Sequence, residues 1–110
     1  MDDKAHAECE PIGPDAIRID FNRSFSFEEG ARLRRGGFGD MDSKWSYLYE
    51  DGWLSIYRGV GECWARLKLR ECPDGVTVGE TWASPTAFEN SGCKSIGGYL
   101  IDILNCILDR

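Results

Sequence analysis

The sequence predicts an α+β domain, an antiparallel β-meander of four to five strands with a short N-terminal helix and a long C-terminal helix packed on the sheet. Three observations predict it. An Asp51-Gly52 pair sits between two aromatic, alternating segments; the alternation resumes in two further segments; and the last stretch carries apolar residues at helical spacing. A chain of 110 residues has room for one hydrophobic core, and its 42% hydrophobic and 29% charged residues are ordinary for a globular fold.

Residues 1–14 are polar and acidic and end in Pro11, Gly13 and Pro14, which reads as a flexible tail, leaving 15–110 as a single domain. Ala16 to Phe21 alternates with Ile17, Ile19 and Phe21 on one side, a strand signal. Ser26 followed by Glu29 is a capping-box pair, so a short helix runs to about Arg35 with Phe27, Ala31 and Leu33 inward. Arg32, Arg34 and Arg35 oppose the negative end of its dipole, and Gly36 stops it.

The Asp51-Gly52 turn fixes the register of the aromatic hairpin. Glu50 falls opposite Trp53, Tyr49 opposite Leu54, Tyr47 opposite Ile56 and Trp45 opposite Arg58. One face then carries Trp45, Tyr47, Tyr49, Leu54, Ile56 and Arg58, the core candidate. A turn over Gly59 to Glu62 sets Arg58 opposite Cys63 and puts Cys63, Ala65, Leu67 and Leu69 on the same face. After a turn over Cys72, Pro73, Asp74 and Gly75, the next strand places Val76, Val78, Glu80 and Trp82 in phase with the core and closes at Ser84 and Pro85. Ile96, Leu100, Ile103, Leu104, Ile107 and Leu108 recur at helical spacing, although Gly97 and Gly98 weaken the first turn and move the expected start toward Tyr99.

Thirteen basic against nineteen acidic residues give a net charge of −6, which repels polyanions and argues against nucleic acid as a partner. Cys9, Cys63, Cys72, Cys93 and Cys106 are odd in number, lack C-x-x-C spacing and follow no apolar leader, so thiols in a reducing, cytoplasmic setting are expected. No apolar run reaches the length of a membrane span.

Enzyme signatures are sparse. The single histidine, His6, lies in the tail, so no Ser/His/Asp or Cys/His arrangement can be assembled, and no catalytic residue is assigned. His6 and Cys9 lack the further ligands a structural metal site needs, and no phosphate-binding glycine motif occurs, so neither metal nor cofactor is expected. A solvated helix end accounts for the arginine cluster, and a plain loop for Gly36, Gly37 and Gly39.

The second face of the sheet is the stronger candidate. Continuing the register sets Tyr57 opposite Trp64, Ser55 opposite Arg66 and Trp53 opposite Lys68, so Trp53, Tyr57, Trp64, Arg66 and Lys68 share one surface. Such a surface is covered within the chain, forms a homodimer or protein interface, or serves as a platform for a ligand. The alternative is a small-ligand or catalytic pocket between the C-terminal helix and the sheet, near Glu80, Trp82 and Arg58, with Glu80 directed toward the apolar side. Arg58 is also placed to stack on Trp45.

Gly39, Asp40, Met41, Asp42, Ser43, Lys44 and Trp45, with the hairpin Tyr47, Tyr49, Glu50, Asp51, Gly52, Trp53 and Leu54 and the following Tyr57 and Arg58, resemble a family of small uncharacterised bacterial proteins. In that family a D-M-D-x-K-W segment precedes an aromatic hairpin ending in R-S-W-T-G; here Gly59, Val60, Gly61 and Glu62 follow Arg58 instead. The resemblance implies a fold and an association with accessory products of mobile bacterial genes, including integron cassettes. The expected function is a noncatalytic binding or protein-interaction module using the aromatic and basic sheet face. A small-ligand binder or enzyme near Glu80, and an immunity or antitoxin-type protein, are the alternatives.

Overall fold

The computed structural model describes residues 15–37, 45–58, 63–92 and 94–109. Within them the chain forms β1 (Ile17–Ile19), β2 (Ser24–Phe25), α1 (Phe27–Arg35), β3 (Trp45–Glu50), β4 (Trp53–Arg58), β5 (Cys63–Cys72), β6 (Gly75–Ala83), α2 (Pro85–Asn90) and α3 (Ile96–Leu108). This is the expected α+β architecture: one antiparallel sheet in the order β1-β6-β5-β4-β3, with β2 also pairing β6. The acidic tail, the D-M-D-x-K segment and the turn over Gly59 to Glu62 lie outside the described residues.

The β3–β4 hairpin follows from its turn. Asp51 and Gly52 have φ of 54° and 86°, the left-handed pair that matches the twist of the flanking strands. All four of the expected pairs form, with Leu48 opposite Ser55 and Ser46 opposite Tyr57 between them. The alternation then sends Trp45, Tyr47, Leu54 and Ile56 to the side on which the helices pack, and all four are buried there.

The register slips twice beyond this hairpin. Ile56 pairs with Ala65 but Tyr57 pairs with Cys63, so Trp64 is an extra residue on β5. Leu69 pairs with Val78 but Leu67 pairs with Thr81, so Gly79 and Glu80 together stand opposite Lys68. At each bulge two residues occupy the place of one, and the strict odd-even assignment fails beyond it. Arg58 is therefore not opposite Cys63. Cys63 instead shares the side of Tyr57 and Ser46, and the interior positions late in β6 belong to Thr81 and Ala83, both fully buried, rather than to Glu80 and Trp82.

The other edge is built from two short strands rather than one. β1 pairs with Thr81 to Ala83 and β2 with Val76 and Thr77, offset from each other by one residue. An edge broken in this way offers only short runs of unpaired backbone.

The capping box of α1 forms as expected: Glu29 N donates to Ser26 Oγ at 3.1 Å and Ser26 N to Glu29 Oε1 at 3.0 Å. Its inward stripe is Gly30 and Leu33, not Phe27 or Ala31; Phe27 is 64% exposed. A Cβ at Gly30 would stand 2.7 Å from Val76 Cγ2, so the missing side chain is what lets the helix ride close to β6. α2 was not expected, yet Ser84 caps it and Pro85 occupies its first turn, a pairing that suits a helix start. Its Phe88 is buried in the core. α3 begins at Ile96, ahead of the expected Tyr99, because Ser95 Oγ accepts from Gly98 N at 3.1 Å and offsets the propensity lost at two glycines.

Leu100, Ile103, Leu104, Ile107 and Leu108 of α3 join Leu33 and the apolar sides of β4, β5 and β6 in one cluster. α1 and α3 thus serve one side of the sheet, and among the described residues no helix lies on the other. No helix among them is long and apolar enough to cross a membrane.

Candidate functional site

The side of the sheet on which no described helix lies is laid out by β5. Arg66, Lys68 and Arg70 alternate on it, at a spacing of about 6.6 to 6.8 Å from one to the next. Cross-strand pairing sets Trp53 beside Lys68 and Ser55 beside Arg66 on the β4 flank. On the β6 flank it sets Trp82 beside Arg66, and Arg18 of β1 beside Trp82. Pairing of Thr81 with Leu67 and of Trp82 with Arg66, past the second bulge, places Glu80 and Trp82 here.

Two cations share one indole. The Arg66 guanidinium carbon lies 4.8 Å and the Lys68 ammonium 5.2 Å from the centre of Trp53, within reach of the ring's negative π surface. Lys68 Nζ also donates to the carbonyl of Asp51 at 3.4 Å. A Cβ at Gly52 would lie 2.9 Å from that nitrogen, so the glycine serves both the turn and the lysine packed across it. On the far flank, Trp82 Nε1 donates to Glu80 Oε2 at 2.5 Å. Trp53, Trp82, Arg66, Lys68 and Glu80 are all half-buried, while Tyr57 at the end of this side is buried.

Of the five residues expected on this surface, Trp53, Arg66 and Lys68 are half-buried on it, Tyr57 is on the same side but buried, and Trp64 is not on it. As the extra residue of the first bulge, Trp64 turns with Ala65 to the helix side, opposite Ile56. There it meets Trp45 edge to face at 5.0 Å, Phe88 at 5.2 Å and Tyr99 at 6.2 Å between ring centres. It is 6% exposed, and its indole N–H has no hydrogen-bond partner among the described residues.

The alternative pocket is also redistributed. Glu80 and Trp82 leave the interior for the open side, and Thr81 takes the buried position, its hydroxyl donating to the Gly79 carbonyl at 3.3 Å. Arg58 remains beside the helices at the rim, its guanidinium carbon 5.2 Å from the Trp45 ring, as its cross-strand position implies. An open cleft of about 310 Å³ lies between it and Trp64, Ser91 and Tyr99.

Sequence reasoning missed Phe88 and Tyr99 as partners of Trp64. The Ser84-Pro85 start signal could have found the helix that carries Phe88, and the two bulges had only Gly79 as a visible mark. Among the described residues no three His, Cys, Asp or Glu side chains gather closely enough to hold a metal ion. Cys63, Cys72 and Cys106 carry thiols rather than disulfides. Comparison with protein-family models, with curated proteins and with solved structures returns no match.

Proposed function

We propose that the protein is a noncatalytic interaction module that engages another protein chain through the open side of its sheet, centred on Trp53. The observation that carries this reading is the stacking of Arg66 and Lys68 on one half-buried indole. Trp, Tyr and Arg are the residue types that anchor protein interfaces. Side chains already held by the ring lose less freedom on association than side chains that swing in water. The resemblance to accessory proteins of mobile bacterial genes fits such a role, and the thiols of Cys63, Cys72 and Cys106 fit a reducing cytoplasm.

The test is association in solution. Mass measurement on the parent and on Trp53→Ala and Arg66→Ala variants should show any self-association of the parent weakened by both substitutions. Where the parent is monomeric, a protein it retains specifically should be lost by the same two variants and kept by Trp64→Phe. Association that is indifferent to Trp53 and Arg66 sinks the reading.

A second reading places a small ligand between the C-terminal helix and the sheet, at Arg58, Trp64 and Tyr99 instead of Glu80. The buried Trp64 N–H, left without an acceptor, favours it, since such a donor costs about 1 to 3 kcal/mol when unsatisfied. Trp64→Phe keeps a ring and removes the donor, so it abolishes binding under this reading and leaves it intact under the first.

A further inference from the structure

Among the cations of the open side, Arg66, Lys68 and Arg70 have no carboxylate partner within the described residues. The ion pair of this region, Arg34 with Glu71 at 3.2 Å, joins α1 to β5 near its end. Glu80 accepts from Trp82, and Glu50 lies at the β3 edge. The chain as a whole is acidic, with a net charge of −6, yet its central strand presents, between two indoles, a row of three cations with no ion pair among the described residues.

Building on the interaction reading above, we infer that this row, flanked by Trp53 and Trp82, receives an extended acidic polypeptide segment with a carboxylate at every second residue. The argument is one of spacing and sign. Side chains on one side of an extended peptide recur at about 6.6 to 6.8 Å, the same interval as Arg66, Lys68 and Arg70, so three carboxylates can meet three cations without either backbone bending. Because β5 lies inside the sheet, its backbone is already paired on both sides, and the incoming segment is held by side chains alone. The carboxylate stems lie along the indole rings.

The same charges disfavour the other occupants. A two-fold interface with a second copy sets the cation row against itself. A nucleic acid offers anions at a comparable interval, but a long polyanion also meets the acidic remainder of the chain, whereas a short segment meets only the row.

The experiment is calorimetric titration of the full chain with a synthetic peptide alternating Glu and Thr. Controls are a Gln-Thr analogue, a peptide of identical composition with its Glu residues in one block, and an oligothymidylate of matched charge. The alternating peptide should bind, and the Arg66→Gln, Lys68→Gln, Arg70→Gln triple variant should weaken it by about tenfold or more, three exposed charge pairs together supplying that much. Higher salt should weaken binding further, and the block peptide should bind less tightly.

Equal binding of the Gln analogue, equal binding of the block peptide, or tighter binding of the oligothymidylate overturns the inference. So does a parent whose mass doubles through this side and reverts in Trp53→Ala, although that outcome leaves the interaction function standing. Failure of every peptide together with association indifferent to Trp53 removes both. Trp64→Phe, on the opposite side of the sheet, should bind the alternating peptide like the parent.

Discussion

Each side of the sheet carries a pair of indoles, and the two pairs are put to different use. On the helix side Trp45 and Trp64 meet edge to face at 5.0 Å and are sealed by Phe88 and Tyr99. On the open side Trp53 lies under Arg66 and Lys68, and Trp82 is tied to Glu80. The first pair contributes buried area and ring packing, which scale with what is removed from water. The second contributes contacts at the surface, where each cation on a ring is worth only about 0.5 to 1 kcal/mol. Residue type alone does not divide core packing from surface contact in this fold; the side of the sheet does.

The largest effect that tests this division is Trp64→Ala. It removes a ring packed against three others, and should lower stability by about 3 to 5 kcal/mol in urea denaturation. Trp64→Phe should fall within about 1 to 2 kcal/mol of the parent, because losing the unsatisfied N–H offsets part of the lost packing. A Phe variant as unstable as the Ala variant would mean that the indole, and not ring volume, holds this corner.

The assignment of each indole to its side was only half legible in the sequence. Trp45 and Trp53 could be placed because Asp51-Gly52 dictates a tight turn and the strands beside it are regular. Trp64 and Trp82 could not, because each lies beyond or within a bulge, and an inserted residue leaves the hydrophobic alternation almost intact: Trp64 precedes Ala65, and Glu80 precedes Thr81, a residue that can serve either side. The helices were legible through caps and spacing, with the exception of α2, which is too short for periodicity to register. Of the five residues expected on the open side, Trp53, Tyr57, Arg66 and Lys68 do lie on that side, Tyr57 buried, and the one that does not, Trp64, is the residue inserted where pairing ceases to be one to one.

Deleting Gly79 sharpens that point. Without it Glu80 alone would stand opposite Lys68, with Val78 still opposite Leu69 and Thr81 opposite Leu67, so the ladder would be regular and every side chain would keep its side. The variant should fold at a cost of about 1 to 2 kcal/mol, from the altered strand twist, and Trp82 should stay accessible to fluorescence quenchers. Burial of Trp82 in the variant would show that the bulge, and not the pairing beyond it, selects the side.

Trp53→Ala should be milder, at about 1 kcal/mol or less, since the ring is half-buried and its two cations remain solvated. A loss as large as that of Trp64→Ala would erase the contrast between the two sides.

The smallest effect concerns the tie between the chain before β1 and the first turn of α2. The Asp15 carboxylate accepts from Thr86 Oγ1 at 2.6 Å and from Thr86 N at 3.4 Å. The hydroxyl of Thr86 is the main cause that holds its pKa below the ordinary carboxylate value. A carboxylate whose pKa is lower folded than unfolded binds fewer protons in the native state, so its contribution is complete above the unfolded value and fades as pH falls through the folded one. Asp15→Asn should therefore lower the urea midpoint slightly at neutral pH, and the gap from the parent should close in acid. The group is exposed, and salt should narrow the gap as well. A gap that persists unchanged below the folded pKa would assign the loss to the altered hydrogen bond alone, with the charge contributing nothing.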